Sequence, residues 1–301
     1  MITYLVRRVF QAVVVVAVVT VVVFCFRWLL PGGKSLGLPG GKGPAVVQYL
    51  TWLGQALRGN LGFSLQQGTT VGALLADSLP RTLVLTLTAT LLAIVVGVPV
   101  GFGQALHRDK ATDVVMRGLT YLGYGMPAFF LGSILIFVFA VKLRWFGAEG
   151  PQASGIAAIV SDWRDLTLPV LTLAIFAGAV FARYARAAAV DALASDYVRT
   201  ARGVGAGPGR VIAGHVLRNS LIPVITLAGL SLPQIFGGAL VVESLFNIEG
   251  IGWRLWQGAL KHDFPVVLGF ILVIAAGAVA GSLVADIGYA LADPRVRYHR
   301  R

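Results

Sequence analysis

Long apolar runs separated by short polar stretches dominate the chain. A bilayer core of about 30 Å takes roughly 20 apolar residues per helix. Six runs qualify, near residues 9–30, 80–106, 114–142, 166–189, 220–243 and 265–291. The pattern predicts an all-α, polytopic membrane protein with six transmembrane helices in one domain spanning 1–301. It leaves an external loop at 31–79 and a polar loop at 190–219. Pro99, Pro127, Pro169, Pro223 and Pro233 fall inside the runs. They are read as tolerated, because neighbouring helices can satisfy the backbone groups a proline frees. The Gly97–Gly101 pair has the spacing of a close helix contact.

The charges between the runs orient the bundle. With the N-terminus inside, one side holds Arg7, Arg8, Arg108, Lys110 and Arg117. It also holds Arg183, Arg186, Arg199, Arg202, Arg210 and Arg218, then Arg295, Arg297, Arg300 and Arg301. These are fifteen of the 25 lysines and arginines. Only Asp109, Asp113, Asp191, Asp196 and Asp293 oppose them there. The excess of cations over short loops places both termini in the cytoplasm.

The polar loop contains "YVRTARGVGAGPGRV", residues 197–211. It is no hidden span: six arginines from Arg183 to Arg218 would cost roughly 15–20 kcal/mol at the bilayer centre. Good helix formers run up to "GAGPG", with Ser195 and Asp196 placed to cap a short helix. Pro208 suits the first turn of the helix that follows. The prediction is a short, exposed, cationic helix on a tight turn, facing the cytoplasm.

Composition agrees with a membrane class: 57% of residues are hydrophobic and 13% charged, against about 25% charged in soluble domains. The formal charge of +12 would suggest nucleic acid in a soluble protein. Here the cations sit between apolar runs and not on an aromatic-studded basic face, so nucleic acid is excluded as a partner. Cys25 is the single cysteine and the four histidines are scattered, which gives no ligand spacing for a metal. The first run is too long for the apolar core of a cleaved signal peptide. "PGGKS" at 31–35 resembles the end of a phosphate loop, but the first glycine of that motif would fall on Trp28. No cofactor is expected in this chain, and none of the common hydrolase or metalloprotease motifs occurs. Glu243 and Asp286 are the acids within or beside the spans. Each is read either as a functional acid or as a side chain reaching to the interface.

The loop also carries a pattern. "DYVRTARGVGAGPGRVIAGHVLRNSLIPVIT" (196–226) resembles the signature loop of ABC-importer permeases, in the form found in the dipeptide/oligopeptide subfamily. Arg199, Thr200 and Ala201 stand at the positions of the general Glu-Ala-Ala, followed by Gly205 and by the Ile222–Pro223 step. "WLGQALRGNLGFS" (52–64), "LPRTLVLTLTATLLAIVVGVPVG" (79–101), "VVESLFNIEGIG" (241–252) and "DIGYALADPRVR" (286–297) are similar to the same subfamily, in its B-type membrane subunit. Three departures stand out: Gly203 and Val204 replace an Ala-Lys step, Glu249 takes the place of a common proline, and the first external segment is short.

The resemblance implies a type I ABC-importer permease bundle, and an importer driven by ATP and fed by an extracytoplasmic solute-binding protein. Asp196, Tyr197, Arg199, Thr200, Ala201, Arg202 and Gly205 would form the coupling loop that docks on an ATPase. ATP and Mg would then belong to two ATPase subunits or one fused ATPase chain. A homologous second permease would complete the pathway in the bacterial plasma membrane, with Thr226, Ser231, Gln234 and Glu243 as pathway or gate residues. Peptides are the expected solute; nickel, glutathione or a sugar are alternatives, as is a stand-alone channel or ion-coupled carrier.

Overall fold

The computed structural model describes residues 2–29, 44–236 and 240–292. The stretch 31–43, the phosphate-loop lookalike at 31–35 and the terminal arginines from Arg295 to Arg301 lie outside the described residues. So do the side chains of Arg7, Arg8, Gln234 and Asp286.

Among the described residues the regular structure is helical apart from one small hairpin. In order come α1 (Ile2–Leu29), α2 (Ala45–Ala56), the strands Phe63–Ser64 and Thr69–Thr70, α3 (Val71–Leu106), α4 (Ala111–Gly125) and α5 (Ala128–Leu135). Then follow α6 (Ile156–Ser161), α7 (Trp163–Ala194), α8 (Asp196–Gly203), α9 (Pro208–Val211), α10 (Leu217–Phe236), α11 (Leu240–Leu245), α12 (Ile251–Leu260) and α13 (Phe264–Ala292). A π-helical stretch, Ile136–Lys142, continues α5, and another, Ile212–Val216, joins α9 to α10.

Where they are described, the predicted stretches are helical except at Met126 and Pro127. Val71–Leu106, Trp163–Ala194, Pro208–Ser231 and Phe264–Ala285 are each long and apolar enough to cross a membrane. Within α1, Val13–Cys25 is a shorter apolar helix. The third span departs from the expectation: α4 and the α5 segment qualify together but are bent by 107° at their junction. Met126 there is extended (φ −82°, ψ 126°) and Pro127 begins the new helix. A proline clashes with a helical predecessor and lacks the N–H that would continue the ladder. Gly125, two residues earlier, adds a weak helix former at the same point. Pro99, Pro169, Pro223 and Pro233, by contrast, stay inside helices.

The segment expected as an external loop, 31–79, carries local structure. Where described it contains α2, the hairpin and the first two turns of α3. In the hairpin Phe63 pairs with Thr70 and Ser64 with Thr69, antiparallel.

The chain divides into two compact units. One comprises residues 1–84, 148–166 and 233–283; the other comprises 85–147, 167–232 and 284–301. In the first, Trp52 of α2 is buried with Phe24 of α1 and Leu268 of α13. Thr20 and Tyr49 share a hydrogen bond of 2.9 Å. Val71, Leu74 and Leu75 of α3 pack with Ile251, Val266 and Phe270. The Ser64 hydroxyl donates to Asp263, which ties the hairpin to the turn before α13.

The second unit packs through small residues. A Cβ on Gly97 would lie 2.4 Å from the Gly178 carbonyl oxygen, and one on Gly101 2.2 Å from that of Ala182. The Gly97–Gly101 spacing is therefore a helix contact, between α3 and α7. Phe102, Ala105, Phe181, Ala185 and Ala189 extend that core towards the polar loop.

Candidate functional site

The loop predicted to couple this chain to a partner is built on α8. Ser195 takes the N-cap position in extended backbone (φ −75°, ψ 153°). It does not cap with its side chain. Its hydroxyl turns back to the Ala192 carbonyl at the end of α7, a nearby acceptor that competes with the N–H groups ahead. Asp196 in the first turn and Arg202 in the last both oppose the helix dipole favourably.

Val198 and Ala201, three apart on one face, are buried. They join a cluster with Ala192, Val211 and Val216, and full burial of a valine contributes about 1.5–3 kcal/mol. The other face is open: Asp196, Tyr197, Arg199, Thr200 and Arg202 are exposed. Asp196 and Arg199 approach to 3.6 Å, both almost fully in solvent, where such a pair contributes little. The Thr200 hydroxyl donates to the Asp196 carbonyl at 3.0 Å. Arg202 makes no ion pair among the described residues. The Tyr197 ring lies 6.5 Å from that of His215, in the π-helical stretch before α10.

The end of α8 is a Schellman turn. Gly205 has φ +83°, a left-handed conformation that glycine adopts without a Cβ penalty. Its N–H donates to the Arg202 carbonyl at 3.0 Å, and the Ala206 N–H to the Ala201 carbonyl at 3.0 Å, the paired bonds of that motif. Gly207 then caps α9 and Pro208 opens it. Gly203 closes α8 and Val204 is 80% exposed just beyond, so the departure from Ala-Lys sits at the outer rim of the turn.

The predicted coupling residues thus divide by face. Asp196, Tyr197, Arg199, Thr200 and Arg202 point outward, Ala201 packs inward, and Gly205 shapes the turn. Val198 and Ala206, absent from the prediction, are part of the base; the i, i+3 spacing of Val198 and Ala201 among charged residues was the signal for it.

The predicted pathway residues are not alike. The Thr226 hydroxyl donates to the Ile222 carbonyl at 3.0 Å and that of Ser231 to Leu227 at 2.9 Å, so both fold back on α10. The side chain of Gln234 lies outside the described residues. Glu243 is completely buried, which corrects the interface-reaching alternative. It accepts the Thr82 hydroxyl at 2.6 Å and the Trp253 N–H at 2.9 Å, while Thr82 accepts the Ile251 N–H at 2.8 Å. The pair holds free N–H groups at the start of α12. A Cβ on Gly250 would lie 2.4 Å from the Glu243 carboxyl, so the approach needs glycine there.

Glu249, the residue in place of a common proline, accepts from Arg254 and lies 3.5 Å from Arg81. Asp77 reaches the same two guanidiniums, at 3.2 Å from Arg81 and 3.7 Å from Arg254.

Comparison with known proteins meets this geometry from another direction. Residues 93–298 match the family model described as "Binding-protein-dependent transport system inner membrane component". The oligopeptide transport system permease protein AppB of Bacillus subtilis is 34% identical over 99% of this chain and 100% of its own length. The glutathione transport system permease protein GsiC of Escherichia coli K12 is 32% identical over 99% and 100%. In fold, the chain is similar to a crystal structure of an amino acid ABC transporter with histidines. The TM-score is 0.53 at 17% identity, covering 74% of this chain and 94% of that one. With a buried apolar base under an exposed cationic helix, and a family match across both, the chain belongs to the inner membrane components of binding-protein-dependent transport systems.

Proposed function

We propose that this chain is the permease subunit of an ATP-driven importer of di- or oligopeptides, working with a homologous second permease. The observation that carries the coupling role is the division of α8 into a fixed inner face and a free outer one. Val198 and Ala201 make the helix move with α7 and α9, while Tyr197, Arg199 and Arg202 remain available to another surface. An aromatic ring and guanidiniums are the side chains that dominate binding at protein interfaces. The partners in this reading are two ATPase subunits, or one fused chain, which hold ATP and Mg, and a solute-binding protein on the opposite side.

Closure of the ATPase clefts would then pull on α8, and the rigid base would pass the movement to the span behind it. Nucleotide and solute shift the inward–outward balance only by binding the two states unequally. Thr226, Ser231 and Gln234 on α10 are assigned to the path wall. Glu243 is assigned to holding α12 in place, on its hydrogen bonds to Thr82 and Trp253.

The experiment replaces Tyr197–Gly205 with a Gly/Ser linker in the assembled transporter. Solute-stimulated ATP hydrolysis is expected to vanish; retention of that stimulation rejects the coupling role. Glutathione is a second reading for the cargo, favoured by the likeness to GsiC. Competing labelled oligopeptides against glutathione for uptake by a strain with and without this chain separates the two.

A further inference from the structure

In the second compact unit, the buried Asp113 of α4 is shared by two arginines. Arg186 of α7 donates to it from Nε at 3.3 Å and from Nη2 at 3.1 Å. Arg117 stands 3.4 Å away, and the Asp109 N–H donates at 3.1 Å. Arg183, one turn before Arg186, has no carboxylate partner among the described residues. It lies 4.5 Å over the Tyr124 ring and 5.9 Å from the Tyr121 ring. Arg117, Arg183 and Arg186, with Gln104, Thr120 and Tyr184, line an open cavity of about 360 Å³. Three guanidiniums against one carboxylate leave that cavity with a positive excess.

A second cavity of about 380 Å³ borders Thr120 too, and it is apolar. Val96 and Val100 of α3, Leu119 and Gly123 of α4, and Ile175 and Ala179 of α7 form its walls. Val96 is 52% and Leu119 64% exposed, so the groove opens sideways. At the junction Gln104 donates to the Thr120 hydroxyl at 2.8 Å. Along α7 the groove lining runs from Leu171 to Ala182, roughly 16 Å at 1.5 Å per residue. That is about one leaflet of a hydrocarbon core of roughly 30 Å.

We propose that the two adjoining cavities, which share Thr120 in their walls, together bind one anionic phospholipid of the cytoplasmic leaflet. Its phosphate sits among Arg117, Arg183 and Arg186, and an acyl chain lies in the groove. All three arginines belong to the charge set that the positive-inside rule assigns to the cytoplasmic face, where anionic lipid attracts basic sites. A free anion would satisfy the arginines and leave the groove empty. A zwitterionic lipid would fill the groove without gaining from the charge excess. The inference concerns lipid and is independent of the cargo.

The test counts bound lipid by native mass spectrometry on the full-length chain, titrated with phosphatidylglycerol, with phosphatidylcholine of the same acyl chains, and with inorganic phosphate. Two uncompensated cations predict about thirtyfold preference for phosphatidylglycerol. Arg117→Gln with Arg183→Gln is expected to bring the ratio near one, leaving the Arg186–Asp113 pair in place. Arg117→Lys with Arg183→Lys is expected to keep most of it, which separates charge from folding. Val96→Trp should weaken both lipids by filling the groove. Equal binding of the two lipids, or an unchanged ratio in the glutamine variant, overturns the proposal. So does displacement of phosphatidylglycerol by inorganic phosphate together with indifference to Val96→Trp, which would mark a simple anion site.

Discussion

Helix α8 turns its arginines outward, whereas α12 turns Arg254 inward against Glu249 and Asp77. Both are short helices beside long spans, and both carry arginine and an aromatic residue. On α8 the buried groups are apolar, Val198 and Ala201, so the polar face is free. At the start of α12 the buried groups are polar, Glu243 and Thr82, and the backbone N–H groups of Ile251 and Trp253 use them. A short helix that spends its polar groups on its own fold is a strut. One that keeps them in solvent while anchored underneath is a handle.

The largest effect expected from this contrast is on coupling. Changing Tyr197, Arg199 and Arg202 together to alanine should cut solute-stimulated ATP hydrolysis about a hundredfold or more, since each hot-spot side chain carries about 2 kcal/mol. The thermal midpoint of the chain should hardly move, because surface changes stay within about 0.5 kcal/mol. A large drop in that midpoint would show α8 to be a strut after all.

Next comes Glu243→Ala, which should do the reverse. It removes the carboxylate that accepts the Trp253 N–H and the Thr82 hydroxyl, and a buried N–H left without a partner costs about 1–3 kcal/mol. The thermal midpoint should fall clearly, and stimulation per folded molecule should persist. Unchanged stability would mean that the α12 start is held by other means.

Gly205→Ala tests the turn. A Cβ in the left-handed region costs about 1–2 kcal/mol, and Gly205 has nothing within 4 Å of its would-be Cβ, so the loss is conformational. Proteolysis within 197–211 should quicken while the spans stay intact; equal cleavage rates would contradict the strained turn. The smallest effect belongs to Ser195→Ala. A true side-chain cap is worth about 0.5–2 kcal/mol, but this hydroxyl bonds backward, so the change should stay under about 0.5 kcal/mol. A larger loss, read by thermal unfolding, would restore Ser195 as a cap.

Several of these features were legible without a fold. Gly205 and Pro208 were readable because each acts on its own backbone wherever the chain goes, glycine by permitting a left-handed φ and proline by fixing φ near the helical value. The Gly97–Gly101 spacing was readable because only small side chains let helix backbones approach so closely. Pro127 was misjudged: five prolines looked equivalent, and a glycine two residues earlier does not single it out, since Gly97 precedes Pro99 in the same way within unbroken helix. The Ser195 side chain was misjudged because its hydroxyl could either accept an N–H ahead of it or donate to the Ala192 carbonyl behind it, and it does the latter.

The sequence by itself determined where apolar helices form, which loops carry the cations and where α8 must turn. Those follow from residue type and near-neighbour spacing, which act over a few residues. Only the tertiary structure decided which charges are free. Arg81 and Arg254 look like Arg199 and Arg202 in the chain, yet the first pair meets Asp77 and Glu249 while Arg199 and Arg202 stay in solvent. Glu243 likewise depends on Thr82, 161 positions away. A buried polar group is stable only when its partner arrives, and that partner is supplied by folding rather than by the neighbouring residues.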